Sequence, residues 1–308
     1  MATASMVVFP LPAAPSTTTS GSVEVTAAAA RSWAASSPRA RASACTSGAP
    51  WATRTGQTTH CETSGKAIYG FGIAFGDLGG SQAEYVRVPL ADGHLEHVPD
   101  GIDDESALFL SCNLPGAVTA VDSADIRPTD IVAMIGCGPT GQLALQLART
   151  RTGCTILALD RVPGRLATAR RLGARPVDVD NDDIAAVVAD ATDGRGVDKV
   201  IEFAGRGDAF NQAVSIARPG GVISGGGVYL EQDFPVSLFD MHFKNLQIRL
   251  NGFANAATAM WEAGRLITAG VIDPRTVVSH RVSLAEVPVA ATAFAARQDG
   301  FNKMVISL

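Results

Sequence analysis

The pattern of apolar and polar positions is clearest from about residue 128 onward, where short apolar runs alternate with segments of helical periodicity. The helical segments lie at residues 141–149, 165–172 and 208–217. Apolar runs without an alternating polar face predict strands that are buried on both sides. They lie at residues 131–135, 155–159, 200–203, 222–223 and 246–250. Strands and helices that alternate in this way are typical of a doubly wound parallel sheet, so the sequence predicts an α/β fold.

The pattern before this region is weaker. Residues 83–88 alternate and predict a strand, and residues 103–110 predict a short helix with an acidic first turn. Gly70, Gly72 and Gly76 have no strand before them and no helix after them in the pattern, so we interpret them as loop glycines.

Residues 1–56 show neither a helical nor a strand period. They are mostly Ala, Ser, Thr, Pro and Gly, and their one acidic residue is Glu24. Such a segment cannot bury enough apolar surface to offset its chain entropy, which predicts a low-complexity, disordered leader. A transit peptide is the alternative, since Arg31, Arg39 and Arg41 stand among serines and alanines.

The whole chain has 308 residues, of which 46% are apolar and 18% are charged, and its formal net charge is -5. It has no basic excess for binding a polyanion, so nucleic acid is not a predicted partner. No apolar run is long enough to cross a membrane. The 5 cysteines are odd in number and form no C-x-x-C pair, which favours a reducing compartment. We therefore expect a cytoplasmic protein, or an organellar one if the leader is a transit peptide.

The turn after the first predicted strand of the sheet carries the strongest chemical signal. Its glycines, Gly136, Gly138 and Gly141, have the spacing G-x-G-x-x-G between a strand and a helix. In that context the first glycine permits a tight turn, the second lets the backbone approach a pyrophosphate, and the third lets helix and strand pack closely. Asp160 ends the next predicted strand, about 20 residues further on, where a carboxylate accepts hydrogen bonds from a ribose. Together these features predict a Rossmann domain that binds a dinucleotide.

Asp160 also bears on the choice of cofactor, because a carboxylate at this position repels the 2′-phosphate of NADP and favours NAD. Arg161 follows it and is the feature that would instead accept that phosphate. Arg165 either reaches the same ribose or is a solvated helix residue. The predicted cofactor-binding residues are Gly136, Cys137, Gly138, Pro139, Thr140, Gly141, Asp160, Arg161, Arg165 and Val228.

Several further motifs resemble those of the zinc-containing medium-chain alcohol dehydrogenases, and most nearly their formaldehyde-dehydrogenase-like branch. They include Ser-Cys-Asn-Leu-Pro at residues 111–115, Glu-Phe-Ala-Gly at 202–205 and Arg-Pro-Gly-Gly at 218–221. The resemblance covers residues 57–308. It implies a Rossmann NAD-binding domain over residues 116–253 and an incomplete GroES-like β-barrel over residues 57–115 and 254–308. It also implies hydride transfer between NAD and a small alcohol or aldehyde.

In this family a zinc ion holds the alcohol oxygen, and the resemblance implies which residues would bind it. Cys112 matches the last ligand of the catalytic zinc, and Cys61 matches one ligand of a second, structural zinc. The Gly-His-Glu motif that supplies another catalytic ligand occurs nowhere in the sequence, so we expect zinc binding to be lost. Because the likeness ends abruptly upstream, we interpret residues 1–56 as an out-of-frame or mis-started reading of the gene. Gly116 also departs from the family, which commonly has a threonine there beside the nicotinamide.

Three functions remain open: an NAD-dependent alcohol dehydrogenase by ancestry, a non-catalytic dinucleotide-binding remnant, or a zinc-independent enzyme of the quinone-reductase kind. Because two of the three catalytic zinc ligands are missing from the sequence, we expect weak NADH binding without alcohol oxidation. An incomplete barrel should also expose apolar surface over residues 108–114. Members of the family pair their sheets edge to edge, which implies a homo-oligomer if the fold is intact.

Overall fold

The computed structural model describes residues 67–88, 95–150, 153–231, 233–251, 256–296, 298 and 300–307, together with two short strands near the start of the chain. Cys61 and most of the predicted leader lie outside the described residues. The strands are β1 Val7–Val8, β2 Val23–Glu24, β3 Arg87–Val88, β4 Leu95–Glu96, β5 Ile131–Ile135, β6 Thr155–Asp160, β7 Arg175–Asp178, β8 Val197–Glu202, β9 Ala217–Gly225, β10 Gln247–Leu250, β11 His280–Ser283 and β12 Met304–Ser307. The α-helices are α1 Asp104–Ala107, α2 Asn113–Ala124, α3 Pro139–Ala148, α4 Pro163–Arg171, α5 Ile184–Thr192, α6 Gly207–Ile216, α7 Leu238–Phe243, α8 Ala256–Thr268 and α9 Val287–Ala295. Short 3₁₀ helices lie at Ile73–Phe75, Leu108–Leu110, Pro274–Val277 and Leu284–Glu286.

Strands β5 to β10 form one parallel sheet in the order β10-β9-β8-β5-β6-β7. The chain moves outward from β5 to β7, returns to place β8 beside β5, and then moves outward to β10. The order of the strands therefore reverses between β5 and β8, and the crevice outside the carboxyl ends of such strands is where α/β sheets bind ligands. The predicted doubly wound α/β fold is confirmed.

The two faces of the sheet bury separate cores, because successive side chains of a strand point to opposite faces. On β5, Val132 and Met134 belong to the core that α2 and α3 cover, whereas Ala133 and Ile135 belong to the core that α5 and α6 cover. Cover on both faces is the reason why the strand has an unbroken apolar sequence, which makes it visible to pattern analysis.

Some elements of this region were not predicted. β7 has the sequence Arg-Pro-Val-Asp, in which only Val177 is buried, so it carries no apolar run. It lies at the edge of the sheet, where proline and charged residues are tolerated. In α2, Pro115 and Gly116 suggest a break, but both stand in the first turn, where a missing N–H costs little.

The expectation of exposed apolar surface over residues 108–114 is wrong for most of that segment. Phe109, Leu110 and Leu114 are buried, and Leu108 alone among its large apolar side chains is exposed. Helix α8 supplies the cover, since its Ala263 belongs to the same core cluster as these residues.

Outside the parallel sheet, the described strands form two-stranded pairs. β1 pairs with β4 and β2 pairs with β3 in antiparallel fashion, while β11 and β12 are parallel. Val7–Val8 and Val23–Glu24 are the only parts of the predicted leader among the described residues. Among the described residues these pairs close no barrel.

A buried carboxylate stabilises the parallel sheet at the amino-terminal ends of its strands. Asp198, near the start of β8, accepts hydrogen bonds from the backbone N–H of Ile131 at 2.9 Å, from Arg195 Nη1 at 2.6 Å and from Arg218 Nε at 2.6 Å. Desolvation alone would raise the pKa of this carboxyl, but its donors outweigh that effect and hold the pKa well below its usual range.

We predict that Asp198→Asn lowers the free energy of unfolding by about 2–3 kcal/mol at pH 7, because Arg195 and Arg218 lose a charged partner. The folded-state pKa lies below the unfolded one. The contribution of the carboxylate is therefore complete above the unfolded pKa of about 4 and is lost as the pH falls through the folded value. Urea denaturation at pH 7 and pH 3 measures both effects, and the two proteins should differ less at pH 3.

The matched control is Asp190→Asn, which removes the partner of Arg175 in an exposed ion pair. It should cost less than about 0.5 kcal/mol. Equal losses in the two variants, or a difference that does not narrow in acid, would contradict the role of Asp198.

Candidate dinucleotide-binding site

The glycine turn between β5 and α3 is built by close approach of backbone to backbone. Gly136 has a φ of +86°, and a Cβ atom there would lie 2.7 Å from the backbone nitrogen of Ala204, after β8. A Cβ atom on Gly141 would lie 2.0 Å from the carbonyl oxygen of Gly136. Real atoms do not approach so closely, so both positions require glycine, for the turn and for helix packing as predicted.

The start of α3 is left open to an anion. Gly138 is the N-cap and supplies no side-chain hydrogen bond, and Pro139 occupies the first helical position. A Cβ atom on Gly138 would meet only the end of the Arg165 side chain, at 3.7 Å. Backbone N–H groups in the first turn of a helix have no helical acceptor and favour negative charge, so the turn has the chemistry of a phosphate site.

Asp160 is the last residue of β6, and the structure brings it to this turn. Its Oδ2 accepts a hydrogen bond from the backbone N–H of Cys137 at 2.7 Å. Its Oδ1 accepts from the backbone N–H groups of Arg161 at 2.8 Å and Val162 at 2.9 Å. The residue is only 7% exposed. Because a carboxylate has about four acceptor positions, one on Oδ2 remains for a ligand.

The two arginines after β6 have different surroundings. Arg165 is mostly buried, with its Nη1 3.9 Å from Asp160 Oδ2, and its buried Nε has no hydrogen-bond partner. It is therefore not the solvated helix residue of the alternative interpretation. Arg161 is exposed, and its Nη2 lies 3.9 Å from Asp180 Oδ1.

The other side of the crevice is formed by the turns that follow β8 and β9. Val228 is half exposed, and its carbonyl oxygen would lie 2.6 Å from a Cβ atom on Gly205, so the two turns touch. Between them, Glu202 at the end of β8 is fully buried and accepts a short hydrogen bond from Tyr229 Oη. Glu202 and Tyr229 were not predicted as site residues. A signal was present, since Glu202 is the acidic last residue of β8 as Asp160 is of β6.

Two side-chain hydrogen bonds tie the start of α3 to other segments. Asn113 Nδ2 donates to Thr140 Oγ1 at 2.9 Å, which places the start of α2 beside the glycine turn. Asn302 Nδ2 donates to Oε1 of the buried Gln142, also at 2.9 Å. These polar pairs join residues far apart in the chain, so no sequence spacing indicates them.

Cys112 is the N-cap of α2 and is exposed at its surface. The surrounding protein nevertheless raises the pKa of its thiol by desolvation, which the charge of Lys303 opposes. Among the described residues, no three His, Cys, Asp or Glu side chains are grouped so that they could hold a metal ion. The described part of the chain therefore does not fit a zinc site, and Cys61 lies outside it. Cys137 and Cys154 are buried thiols whose pKa values burial raises.

The helices of the described part of the chain include none with the length and apolar character to span a membrane.

A parallel sheet whose order reverses beside a glycine turn defines a Rossmann-type dinucleotide fold, and comparison with known proteins identifies the family. Residues 139–268 match the family model described as zinc-binding dehydrogenase. An alcohol dehydrogenase of Cupriavidus necator is 34% identical over 238 residues, which are 76% of this chain and 65% of that protein.

Solved structures agree. The alcohol dehydrogenase TADH from Thermus sp. ATN1 superposes with a TM-score of 0.77 at 33% identity, over 85% of this chain and 76% of that one. A zinc-binding dehydrogenase from Sinorhizobium meliloti 1021, bound to NADP, superposes with a TM-score of 0.69 at 26% identity, over 85% of this chain and 74% of that one. The chain belongs to the zinc-type medium-chain alcohol dehydrogenase family, a lineage of oxidoreductases. It spans 50–65% of the length of the first curated relatives that it matches.

We predict that Gly141→Ala lowers the free energy of unfolding by about 3 kcal/mol, because the added methyl group must displace the backbone at Gly136. The matched control is Gly138→Ala in the same turn, where the added methyl makes only an ordinary contact and the change should cost less than about 1 kcal/mol. Urea denaturation measures both variants. Equal losses would show that α3 does not pack against the turn as closely as described.

Proposed function

We propose that the chain binds NAD across the carboxyl edge of the parallel sheet, as a member of a lineage that transfers hydride between NAD and a small alcohol or aldehyde. One observation carries this proposal: the glycine turn opens a helix whose first amides are free, and the buried carboxylate of Asp160 is hydrogen-bonded to that turn. In this arrangement the pyrophosphate lies against residues 136–141, with Cys137, Pro139 and Thr140 forming the wall between the glycines.

The adenosine ribose is placed at Asp160. The acceptor position that remains on its Oδ2 faces Arg165, whose unpartnered Nε is a further donor. The nicotinamide half then extends to the opposite side of the strand reversal, toward Val228 and the start of α2. Gly116 leaves open space there, since a Cβ atom on it would contact nothing within 4 Å.

NAD is proposed over NADP because the carboxylate of Asp160 opposes a 2′-phosphate at the adenosine ribose. Arg165 offsets part of that charge, and the exposed Arg161 is the group that would favour NADP. The choice needs a direct test, because the related protein from Sinorhizobium meliloti was solved with NADP bound.

We predict that the full chain binds NADH at least about tenfold more tightly than NADPH, a difference of about 1.4 kcal/mol. Asp160→Ser should bring the Kd values for NADH and NADPH closer together because it removes the negative charge. Arg161→Ala is the control and should weaken the binding of NADPH alone. Fluorescence titration with both reduced dinucleotides gives the ratios. A wild-type preference for NADPH would reverse our assignment of Asp160.

A second candidate function is dinucleotide binding without catalysis. It is favoured because Cys112 belongs to no group of three metal-ligating side chains among the described residues. The formaldehyde-dehydrogenase-like branch rests on the sequence motifs alone, and the alcohol or aldehyde is proposed only as a class.

A reducing compartment such as the cytoplasm fits the three described thiols, none of which is paired.

We predict that the purified chain oxidises no alcohol at a measurable rate, with or without added zinc, although it binds NADH. A steady-state assay that follows NADH absorbance over short primary and secondary alcohols tests this. Zinc-dependent turnover that a chelator abolishes would contradict the predicted lack of alcohol oxidation and establish the chain as an active dehydrogenase.

A homodimer is proposed from the two edges of the sheet. At one edge every residue of β10 is exposed, including Ile248 and Leu250, and Phe239 and Phe243 of α7 are exposed as well. At the other edge β7 carries an arginine, a proline and an aspartate, which disfavour strand pairing. Pairing of β10 with its counterpart in a second copy would bury the apolar edge.

The expected result is a dimer in sedimentation velocity that becomes monomeric when Ile248 and Leu250 are both changed to lysine. Val289→Lys, on the exposed face of α9, is the control and should leave the dimer intact. A monomeric wild type would contradict the proposed interface, and so would dissociation of the control.

A further inference from the structure

Glu202 stands out because its carboxylate is wholly buried without a cation. It is 0% exposed at the carboxyl end of β8, and it forms no ion pair with any described residue. Its Oε1 accepts hydrogen bonds from the backbone N–H groups of Ala204 at 2.6 Å and Gly205 at 3.0 Å. Its Oε2 accepts from Tyr229 Oη. Burying such a charge is costly, so the sequence retains it at some expense in stability.

The hydrogen bonds of Glu202 organise two turns. Its side chain closes the turn of residues 203–205, which follows β8. Its carbonyl oxygen accepts from the backbone N–H groups of Gly226 at 2.8 Å and Gly227 at 2.9 Å, in the turn that follows β9. The two turns pack so closely that a Cβ atom on Gly227 would lie 2.6 Å from the Cα of Gly205.

Tyr229 is held in place by its ring as well as by its hydroxyl group. The ring stacks on Phe234 with centroids 6.2 Å apart and meets the edge of Phe210 at 5.9 Å. Burial and the neighbouring carboxylate raise the pKa of Tyr229, so the hydroxyl stays protonated and donates near neutral pH. Glu202 and Tyr229 therefore form a rigid link between the ends of β8 and β9.

This link borders the half of the crevice that lies opposite Asp160. The turn of residues 203–205 contacts the glycine turn itself, because Ala204 lies against Gly136. A dinucleotide whose adenosine ribose is at the end of β6, and whose pyrophosphate is at the end of β5, extends its other half over the ends of β8 and β9.

We propose that Glu202 and Tyr229 are positioning residues for the nicotinamide half of the cofactor, acting through the two turns that they fix; this rests on the proposed dinucleotide site. Neither side chain needs to touch the cofactor. Loosening the turns would misplace the backbone beside the nicotinamide and leave the adenosine side, held by Asp160 and Arg165, unchanged.

Asp198 provides a matched control on the same strand. It is also a buried carboxylate of β8, but it lies near the amino-terminal end of the strand, where arginine side chains donate hydrogen bonds to it. A merely structural role predicts that Glu202→Gln and Asp198→Asn affect ligands alike. A positioning role predicts that only Glu202→Gln discriminates between the halves of the cofactor.

The test is isothermal titration of the full chain with ADP-ribose, which lacks the nicotinamide, and with NADH. We expect the wild type to bind NADH more tightly than ADP-ribose. The advantage of NADH is the ratio of the Kd for ADP-ribose to the Kd for NADH. In both Glu202→Gln and Tyr229→Phe this ratio should fall by about tenfold, while the Kd for ADP-ribose itself changes less than about twofold. Asp198→Asn should keep the advantage within about twofold despite its lower stability.

An unchanged advantage in both Glu202→Gln and Tyr229→Phe overturns the inference, and so does an equal loss in Asp198→Asn. A wild type that binds ADP-ribose but gains nothing from the nicotinamide overturns the inference and leaves the adenosine site intact. A wild type that binds neither ligand overturns the proposed function, and the inference with it.

Discussion

The contact between the start of α3 and the glycine turn is the constraint on which the site depends. Gly141 approaches the carbonyl oxygen of Gly136 more closely than any side chain would allow, and Gly136 in turn lies against Ala204 after β8. This contact brings three chain segments together at the point where the order of the strands reverses. It leaves the first turn of α3 facing the crevice, and the anion-binding chemistry of that turn follows from the geometry of its backbone.

Buried carboxylates are balanced differently at the amino-terminal and carboxyl ends of the parallel strands. At the amino-terminal edge, the buried Asp198 is neutralised by arginine side chains. At the carboxyl edge, Asp160 and Glu202 are satisfied mainly by backbone N–H groups, so their charge is spread over turns that a ligand would contact. The amino-terminal ends of the strands are thus joined by ion pairs, and the carboxyl ends carry the proposed binding site. The same contrast explains why Asp198 is a useful control for Glu202.

The sequence predicted the sheet well where a physical signal was strong and failed where none existed. β5 and its turn were visible because an unbroken apolar run, three glycines and a following helix occur together. β7 was missed because an edge strand of four residues needs only one buried side chain. The bond between Gln142 and Asn302 depends on the folded chain, so no local spacing reveals it. The exposure expected around Leu110 was wrong because the cover comes from α8, far along the chain. Among the described residues, Cys112 belongs to no group of three metal-ligating side chains, so the zinc ligands implied by the sequence motifs are not assembled there.

The dinucleotide site proposed for this chain does not depend on zinc. Titration of the full chain with NADH, with and without a chelator, tests this independence. We expect saturable binding with one NADH per chain and the same Kd in both conditions. Loss of binding on chelation, or no saturation in either condition, would contradict it.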